Sequence, residues 1–191
     1  YDDAYLREVE RTTRLLPRHN VYTIIDFHQD AWGPTLAARP GEMCTPPNDP
    51  AFGWDGAPGW ATLDGGAPRC FVLTRELSQA VLAAFAAFFA NAPGPGGVGI
   101  RTRYVEMLRH VAERFAAVKT VVGYDLMNEP NALSAAQIAS LATLYADAMP
   151  AIRAGEAAAR RGFPHLVLFE PSALWSRFGT GDVGAFNLLK W

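Results

Sequence analysis

The sequence VVGYDLMNEP, residues 121–130, decides the fold class of this chain, because an apolar, β-prone run ends in polar residues and a proline. Pro130 has no backbone N–H to donate to a neighbouring strand, so the strand is expected to stop there. Asn128 and Glu129 are therefore predicted at the carboxyl end of a buried strand. Parallel α/β sheets carry their functional sites at that end.

Two other runs have the same form. Residues 21–27 are apolar and β-prone and lead into DFHQD, residues 26–30, while residues 165–171 end in Glu170 and Pro171. Such near-continuous apolar runs predict strands that are buried on both faces, as in a parallel sheet. We therefore expect three strands whose ionisable residues meet at one edge.

Helical periodicity fills the intervals between these strands. Apolar residues at spacings of three and four predict helices over residues 3–18, 74–90 and 101–118, and a long helix that starts after Ser134. Gln137 completes a capping-box pattern with Ser134, and Pro150 is expected to kink or end the helix. The alternation predicts parallel strands with right-handed crossovers, in either a (β/α)8 barrel or an open sheet.

Composition limits the classes of function. The chain has 191 residues, 50% of them hydrophobic, and a net charge of −2, which is typical of a globular domain. It has no Lys/Arg cluster, which argues against a nucleic-acid partner, and no Gly-rich phosphate loop after the first strand. Because it starts at Tyr1 without a methionine, we interpret it as an internal piece of a longer protein.

Residues 31–73 are rich in Gly, Pro, Trp and Asp and have no clear periodicity, which predicts a functional loop. Cys44 and Cys70 lie in this region. They form either a disulfide of an exported protein or two unrelated thiols. Tryptophan side chains near the same edge favour stacking on sugar rings or apolar chains, although any one of them can be core. They are Trp32, Trp54, Trp60 and Trp175.

Asp26, His28 and Asp30 share one face of the first strand, because side chains alternate along a strand. Three polar groups there can bind substrate hydroxyls or orient a catalytic acid. They can also form a buried structural network. A His-x-Asp metal pair is a third alternative, for which the sequence offers no evident third ligand.

Glu129 is the candidate general acid, because partial burial at a strand end raises a carboxyl pKa and keeps the group protonated. The alternative is a capping role in the turn. Asn128 can bind a substrate hydroxyl, but strict alternation directs it to the opposite face unless the strand end twists or bulges.

Glu170 is either a second catalytic carboxylate or part of a pocket wall. Retaining glycosidases need two carboxyl groups about 5–5.5 Å apart.

Three segments together resemble glycoside hydrolase family 5, and within it the endoglycoceramidase group. They are DFHQD at residues 26–30, DGAPGWAT at residues 55–62 and GYDLMNEP at residues 123–130. Asn-Glu-Pro alone is shared across a wider clan of retaining glycosidases, so the specificity comes from the three segments in this order. The resemblance extends over roughly residues 1–171.

This resemblance implies a (β/α)8 barrel in which the three strands are the third, fourth and fifth of eight, with residues 1–191 part of one catalytic domain. It implies that Glu129 is the acid/base and that Asn128 holds the sugar 2-hydroxyl. Asp26, His28, Asp30 and Trp60 are implied to bind substrate. In this family the nucleophilic glutamate ends the seventh strand, which is expected beyond Trp191, so Glu170 does not match it.

The implied activity is retaining hydrolysis of the bond between an oligosaccharide and ceramide. Alternatives are a cellulase-like glucanase, a lipid β-glucosidase, or a non-catalytic carbohydrate- or lipid-binding remnant. No cofactor or metal is expected. The expected partner is a glycolipid or oligosaccharide, with transient contact to a membrane surface, and the full-length protein is expected to be secreted and monomeric. A partial barrel is expected to leave apolar sheet edges open and to lack normal turnover by itself.

Overall fold

A computed structural model describes residues 1–52 and 55–173. In chain order its elements are α1 (Asp3–Leu15), β1 (Thr23–Asp26), β2 (Asp49–Pro50), β3 (Cys70–Phe71), α2 (Gln79–Phe89), α3 (Ile100–Phe115), β4 (Val121–Asp125), α4 (Ala135–Ala158) and β5 (Leu166–Leu168). They fall into two compact units. The first comprises residues 1–27, 103–126 and 143–170, and the second comprises residues 28–102, 127–142 and 171–173.

The first unit contains a three-stranded parallel sheet in the order β1-β4-β5. Ile25 is in register with Tyr124, and Tyr124 with Val167, so these three side chains lie on one face. The parallel pairing confirms the strand arrangement predicted from the sequence. The sheet and its helices are the architecture of a partial (β/α)8 barrel.

The core of this unit lies between that face of the sheet and the helices. It is built from large side chains that are almost completely buried, among them Leu108, Phe115, Tyr124, Leu126 and Ile152. The apolar residues of α3 that predicted this helix therefore pack in the core. Gly123 permits close pairing of β4 with β5, because a Cβ atom there would lie 2.6 Å from the carbonyl oxygen of Leu166.

The other face of the sheet is open in the part of the chain that the structure describes. Ile24 on β1 is 49% exposed and Leu166 on β5 is 64% exposed. The prediction that these strands are buried on both faces is therefore wrong for the described residues, because the helices cover only one face. Among the described residues, β1 and β5 form the edges of this sheet, in line with the apolar edges expected of a partial barrel.

Helix boundaries differ from the predicted ones where capping residues or proline intervene. A 3-10 turn, Leu16–His19, follows α1 at Pro17. The helix predicted from residue 74 starts at Gln79, because the Ser78 hydroxyl accepts a hydrogen bond from the Val81 N–H. Before α4 the Ser134 hydroxyl accepts from the Gln137 N–H as expected, whereas the Gln137 side chain accepts from the Leu133 N–H and not from that of Ser134. Pro150 does not end that helix, which continues to Ala158.

The second unit holds the long irregular segment. Cys44 and Cys70 form a disulfide with Cα atoms 5.6 Å apart, and β2 pairs antiparallel with β3 beside it. Arg69 donates hydrogen bonds to the carbonyl oxygens of Thr35 (2.6 Å) and Ala37 (2.9 Å). These bonds fix a segment that has little regular structure. No helix within residues 1–52 and 55–173 is long and apolar enough to cross a bilayer.

Candidate active site

The ends of the two motifs predicted from the sequence, residues 28–30 and 127–130, lie side by side in the second unit. The amide nitrogen of Gln29 donates a hydrogen bond of 2.6 Å to the carbonyl oxygen of Asn128. In return, the Asn128 amide donates one of 3.3 Å to the carbonyl oxygen of Gln29. Residues that are 99 positions apart in the chain are thus joined by a reciprocal pair of bonds.

His28 lies between an acid and an amide. Its Nε2 atom is 3.4 Å from a carboxylate oxygen of Asp30 and 3.5 Å from the Asn128 amide nitrogen. The side chains of His28 and Asp30 are 48% and 42% exposed, so they are open to a ligand. The structure therefore brings together three of the predicted site residues, His28, Asp30 and Asn128.

Arg75 is a member of this cluster that the sequence did not identify. Its guanidinium group is 3.2 Å from the second carboxylate oxygen of Asp30 and 3.7 Å from Glu76. It belongs to a short 3-10 helix, Arg75–Leu77, that lies outside all three family-like segments. The one feature of the sequence that could have indicated Arg75 is its position just before the apolar residues of α2.

Glu129 lies in a bend that follows β4. The strand ends at Asp125, so Asn128 and Glu129 do not obey strand alternation. Glu129 is exposed in the described structure, and the predicted partial burial at a strand end is therefore wrong. Its φ of 35° is unusual for a residue other than glycine, and such strain is concentrated at functional sites.

A shallow pocket in the second unit joins Glu129 to Asp30. Its lining residues are Gln29, Asp30, Ala31, Glu76, Phe85, Glu129, Asn131 and Ala173. A side-chain hydrogen bond joins two of these lining residues: the Asn131 side-chain amide donates to the Glu76 carbonyl oxygen at 2.8 Å. A lining that combines carboxylates and amides with a few apolar side chains is suited to binding hydroxyl groups.

The tryptophans have different roles. Trp60 is 49% exposed on a single 3-10 turn, Gly59–Ala61. Trp32 is only 4% exposed and packs edge-on against Phe85 and Phe88, so it is a core residue and not a binding platform. Trp54 and Trp175 lie outside the described residues.

Trp32 nevertheless supports the site, because its indole N–H donates a 3.0 Å hydrogen bond to the Thr62 hydroxyl, just beyond the turn that carries Trp60.

Asp26 and Glu170 belong to the first unit. Asp26 ends β1 in register with Asp125 on β4. Burial raises the pKa of the Tyr104 hydroxyl, and the nearby charges of Asp26 and Asp125 raise it further, so the phenol stays neutral. Glu170 follows β5, and its carbonyl oxygen accepts a 2.6 Å hydrogen bond from the Tyr145 hydroxyl.

Within residues 1–52 and 55–173, no three His, Cys, Asp or Glu side chains are grouped as metal ligands. The metal alternative for His28 and Asp30 thus gains no third ligand from the described residues.

Comparisons of the sequence and of the structure with known proteins indicate the same family. The model of the family described as cellulase (glycosyl hydrolase family 5) matches residues 1–177. A solved endogalactoceramidase is 39% identical with a TM-score of 0.89; the match covers 100% of this chain and 41% of that one. Endoglycoceramidase from Cyanea nozakii is 23% identical over 155 residues, which are 68% of this chain and 27% of the relative.

Endo-glycoceramidase II from Rhodococcus sp. has been solved as a ganglioside GM3 complex and as a lactosyl-enzyme intermediate. In the GM3 complex it is 29% identical with a TM-score of 0.74, and the match covers 95% of this chain and 39% of that one. The chain thus spans less than half the length of each of these relatives.

Proposed function

The chain belongs to glycosyl hydrolase family 5, and from this premise we propose that the full-length protein hydrolyses O-glycosidic bonds with retention, with Glu129 as the acid/base. The main support for this proposal is the cluster of side chains beside Glu129. Glu129 follows Asn128, whose side-chain amide donates to the Gln29 carbonyl oxygen and lies 3.5 Å from His28. An acid on a strained bend beside such donors suits proton transfer to a sugar oxygen.

In the first step, Glu129 gives its proton to the glycosidic oxygen as the bond to the anomeric carbon breaks. A carboxylate nucleophile forms the new bond to that carbon. In the second step, the ionised Glu129 takes a proton from water, which attacks the same carbon and releases the nucleophile. We propose that a strand outside these 191 residues supplies the nucleophile, and that Glu170 does not. The lactosyl-enzyme intermediate of the Rhodococcus relative supports a covalent route.

The remaining site residues bind the sugar. We propose that Asn128 donates to the hydroxyl next to the anomeric carbon, and that His28 and Asp30 line the adjoining subsite. Carboxylates accept hydrogen bonds from sugar hydroxyls, and an imidazole can accept or donate them. Trp60 offers a flat apolar face to a sugar ring or an alkyl chain.

We propose a glycosphingolipid as the substrate, with cleavage between its oligosaccharide and ceramide. Three relatives support this substrate class: one similar structure is an endogalactoceramidase, another was solved with ganglioside GM3, and a curated relative is an endoglycoceramidase. A ceramide-linked substrate is amphiphilic, so a site for it needs apolar surface near polar groups.

Exposed apolar side chains in the second unit support brief contact with a membrane surface. Met43 is 89%, Phe52 69% and Leu73 91% exposed, in or beside the segment that the disulfide closes. Exposed apolar groups of this kind mark interaction surfaces. The disulfide itself supports export of the protein, because such bonds persist in oxidising compartments. We propose that the full-length enzyme is a secreted monomer.

The test is a product assay of the full-length protein on lactosylceramide, ganglioside and cellulose oligomers. Released oligosaccharide and intact ceramide are expected from the first two. Glu129→Gln should reduce hydrolysis by roughly 100-fold or more, because general acid catalysis contributes that much. Glu170→Gln is the matched control and should retain most activity. Full activity in Glu129→Gln, or hydrolysis of cellulose oligomers alone, would contradict the proposal.

A further inference from the structure

We infer that Gln29 is a positioning residue that sets the direction of the Glu129 carboxyl group, by fixing the peptide unit through which Glu129 is attached. This inference rests on the proposed acid/base role of Glu129. It concerns a residue to which neither the motif spacing nor strand alternation gives a role.

The side chain of Gln29 uses both of its polar atoms on the backbone. Its Nε2 atom donates to the carbonyl oxygen of Asn128 at 2.6 Å. Its Oε1 atom accepts from the backbone N–H of Trp32 at 3.1 Å. One planar amide therefore connects the segment after β1 with the segment after β4.

The bonded carbonyl belongs to the peptide plane between Asn128 and Glu129. Since a peptide unit is planar, holding its oxygen fixes the orientation of the Glu129 N–Cα bond. That orientation and the φ of Glu129 decide where its side chain starts. The Asn128 amide adds a second constraint by donating to the carbonyl oxygen of Gln29 at 3.3 Å.

Both ends of this link are in unusual backbone conformations. Glu129 has a φ of 35°, while Ala31 and Trp32 have φ values of 40° and 81°. Conformations of this kind persist only where surrounding contacts impose them. The Gln29 side chain supplies such a contact to each, because it bonds to Trp32 itself and to the peptide that precedes Glu129.

The backbone of Gly56 packs closely against the Gln29 side chain, and this close approach requires a glycine. A Cβ atom on Gly56 would lie 2.8 Å from the Cβ atom of Gln29 and would overlap the carbonyl oxygen of Trp32. The Ala57 N–H donates to that same carbonyl oxygen at 2.7 Å. The loop at residues 55–62 therefore holds the base of the Gln29 side chain, which is why this amide can act as a rigid link.

Gln29→Glu tests the link with the least change in shape. The variant keeps an oxygen that accepts from Trp32, but it replaces the donor with an oxygen facing the Asn128 carbonyl oxygen. Two acceptors repel each other, so the bend should shift. A small displacement of a catalytic group reduces rates roughly 10- to 100-fold.

The measurement compares two β-lactosides in the full-length protein. One has a dinitrophenol leaving group that departs without protonation, and the other has a long-chain alcohol that needs the acid. We expect Gln29→Glu to lower kcat/KM for the alkyl lactoside roughly 10- to 100-fold. The aryl lactoside should lose less than about threefold, because its departure needs little acid catalysis. The ratio is measured in one preparation, so incomplete folding cancels.

Gln137→Glu is the matched control. Gln137 lies in the same unit and also bonds to backbone, accepting from the Leu133 N–H at 2.8 Å, and a glutamate oxygen can replace that acceptor. This variant should leave the ratio unchanged. Gln29→Asn, which is shorter and uncharged, should shift the ratio in the same direction as Gln29→Glu.

An unchanged ratio in both Gln29 variants would overturn the inference. Glu129→Gln separates that result from failure of the proposed function. If Glu129→Gln changes the ratio and the Gln29 variants do not, only the role of Gln29 is lost. If Glu129→Gln also leaves the ratio unchanged, the acid/base assignment fails and the inference fails with it.

Discussion

The hydroxyl group of Tyr104 on α3 donates a hydrogen bond of 2.6 Å to the carbonyl oxygen of Leu126, one residue beyond the end of β4. Tyr145 on α4 makes the equivalent bond to Glu170, two residues beyond β5. Two helices of the first unit thus hold the backbone where two strands leave the sheet. In the chain, Asn128 and Glu129 follow directly after the first of these points.

Replacement of Tyr104 by phenylalanine should therefore destabilise the protein. The ring would still pack, but the Leu126 carbonyl oxygen would lose the donor that Tyr104 provides. We expect a loss of about 1–2 kcal/mol in the free energy of unfolding. Chemical denaturation measures it, and Tyr5→Phe is the control, since Tyr5 is 66% exposed on α1. Equal midpoints for the two variants would show that the bond contributes nothing.

Stability should also fall at alkaline pH. Burial raises the pKa of Tyr104, Tyr124 and Tyr145 above the ordinary value of 10.0. Above pH 10, the unfolded chain loses these protons while the folded protein keeps them, so unfolding is favoured. The stabilisation is complete below pH 10 and is lost as the pH rises towards the folded pKa values. Each tyrosine contributes a slope of up to about 1.4 kcal/mol per pH unit.

The measurement is the free energy of unfolding between pH 8 and about 11. Tyr104→Phe should flatten the decline above pH 10 because one of the titrating groups with a raised pKa is gone. Parallel curves for the variant and the parent would contradict the assignment of Tyr104.

Much of this fold was predictable because its signals are local. Apolar runs ending at Pro130 and Pro171 predicted two strands, and Ser134 with Gln137 predicted a helix start that the structure confirms. Burial was less predictable. Ile24 has the same hydrophobicity as Ile25, and only the layer that covers one face distinguishes them.

The site was predictable as motifs but not as contacts. His28, Asp30 and Asn128 were expected near each other. In the structure, the side chains of Asp30 and Asn128 both lie within 3.5 Å of the His28 Nε2 atom. Arg75 was missed because its ion pair with Asp30 depends on how a remote loop folds back. Trp32 resembles a binding residue in sequence, and only its packing on α2 identifies it as core.

A buried ion cluster in the first unit gives a third prediction. The Glu156 side chain is 4% exposed and accepts from the His165 N–H (2.9 Å) and from Arg153 (2.5 Å), and it lies 3.0 Å from the His165 Nδ1 atom. In Glu156→Gln, one acceptor oxygen becomes a donor that faces other donors. We expect a loss of about 1.5–3 kcal/mol of stability.

The control is Glu113→Gln on α3. Its partner Arg109 is 3.4 Å away, and both side chains are more than 40% exposed. Exposed pairs of this kind contribute less than about 1 kcal/mol. Denaturation midpoints that fall equally in both variants would mean that burial does not strengthen the Glu156 cluster.

The last prediction concerns the exposed apolar residues of the second unit. The double variant Met43→Ser, Leu73→Ser should bind phosphatidylcholine vesicles containing lactosylceramide about tenfold more weakly in the full-length protein. Partial insertion of each side chain contributes about 0.7 kcal/mol, less than full burial would, and the two contributions together correspond to about tenfold. Co-sedimentation with the vesicles measures the binding.

Hydrolysis of a water-soluble aryl lactoside should be unchanged in the same variant, because neither residue belongs to the pocket that contains Glu129. Tyr5→Ser is the control for a general loss of exposed apolar surface, since Tyr5 lies in the first unit and is 66% exposed. It should bind vesicles as the parent does. Equal vesicle binding by the parent and the double variant would exclude Met43 and Leu73 as the membrane-contacting residues. A parallel loss of soluble-lactoside hydrolysis would instead mean that the substitutions disturb the catalytic fold.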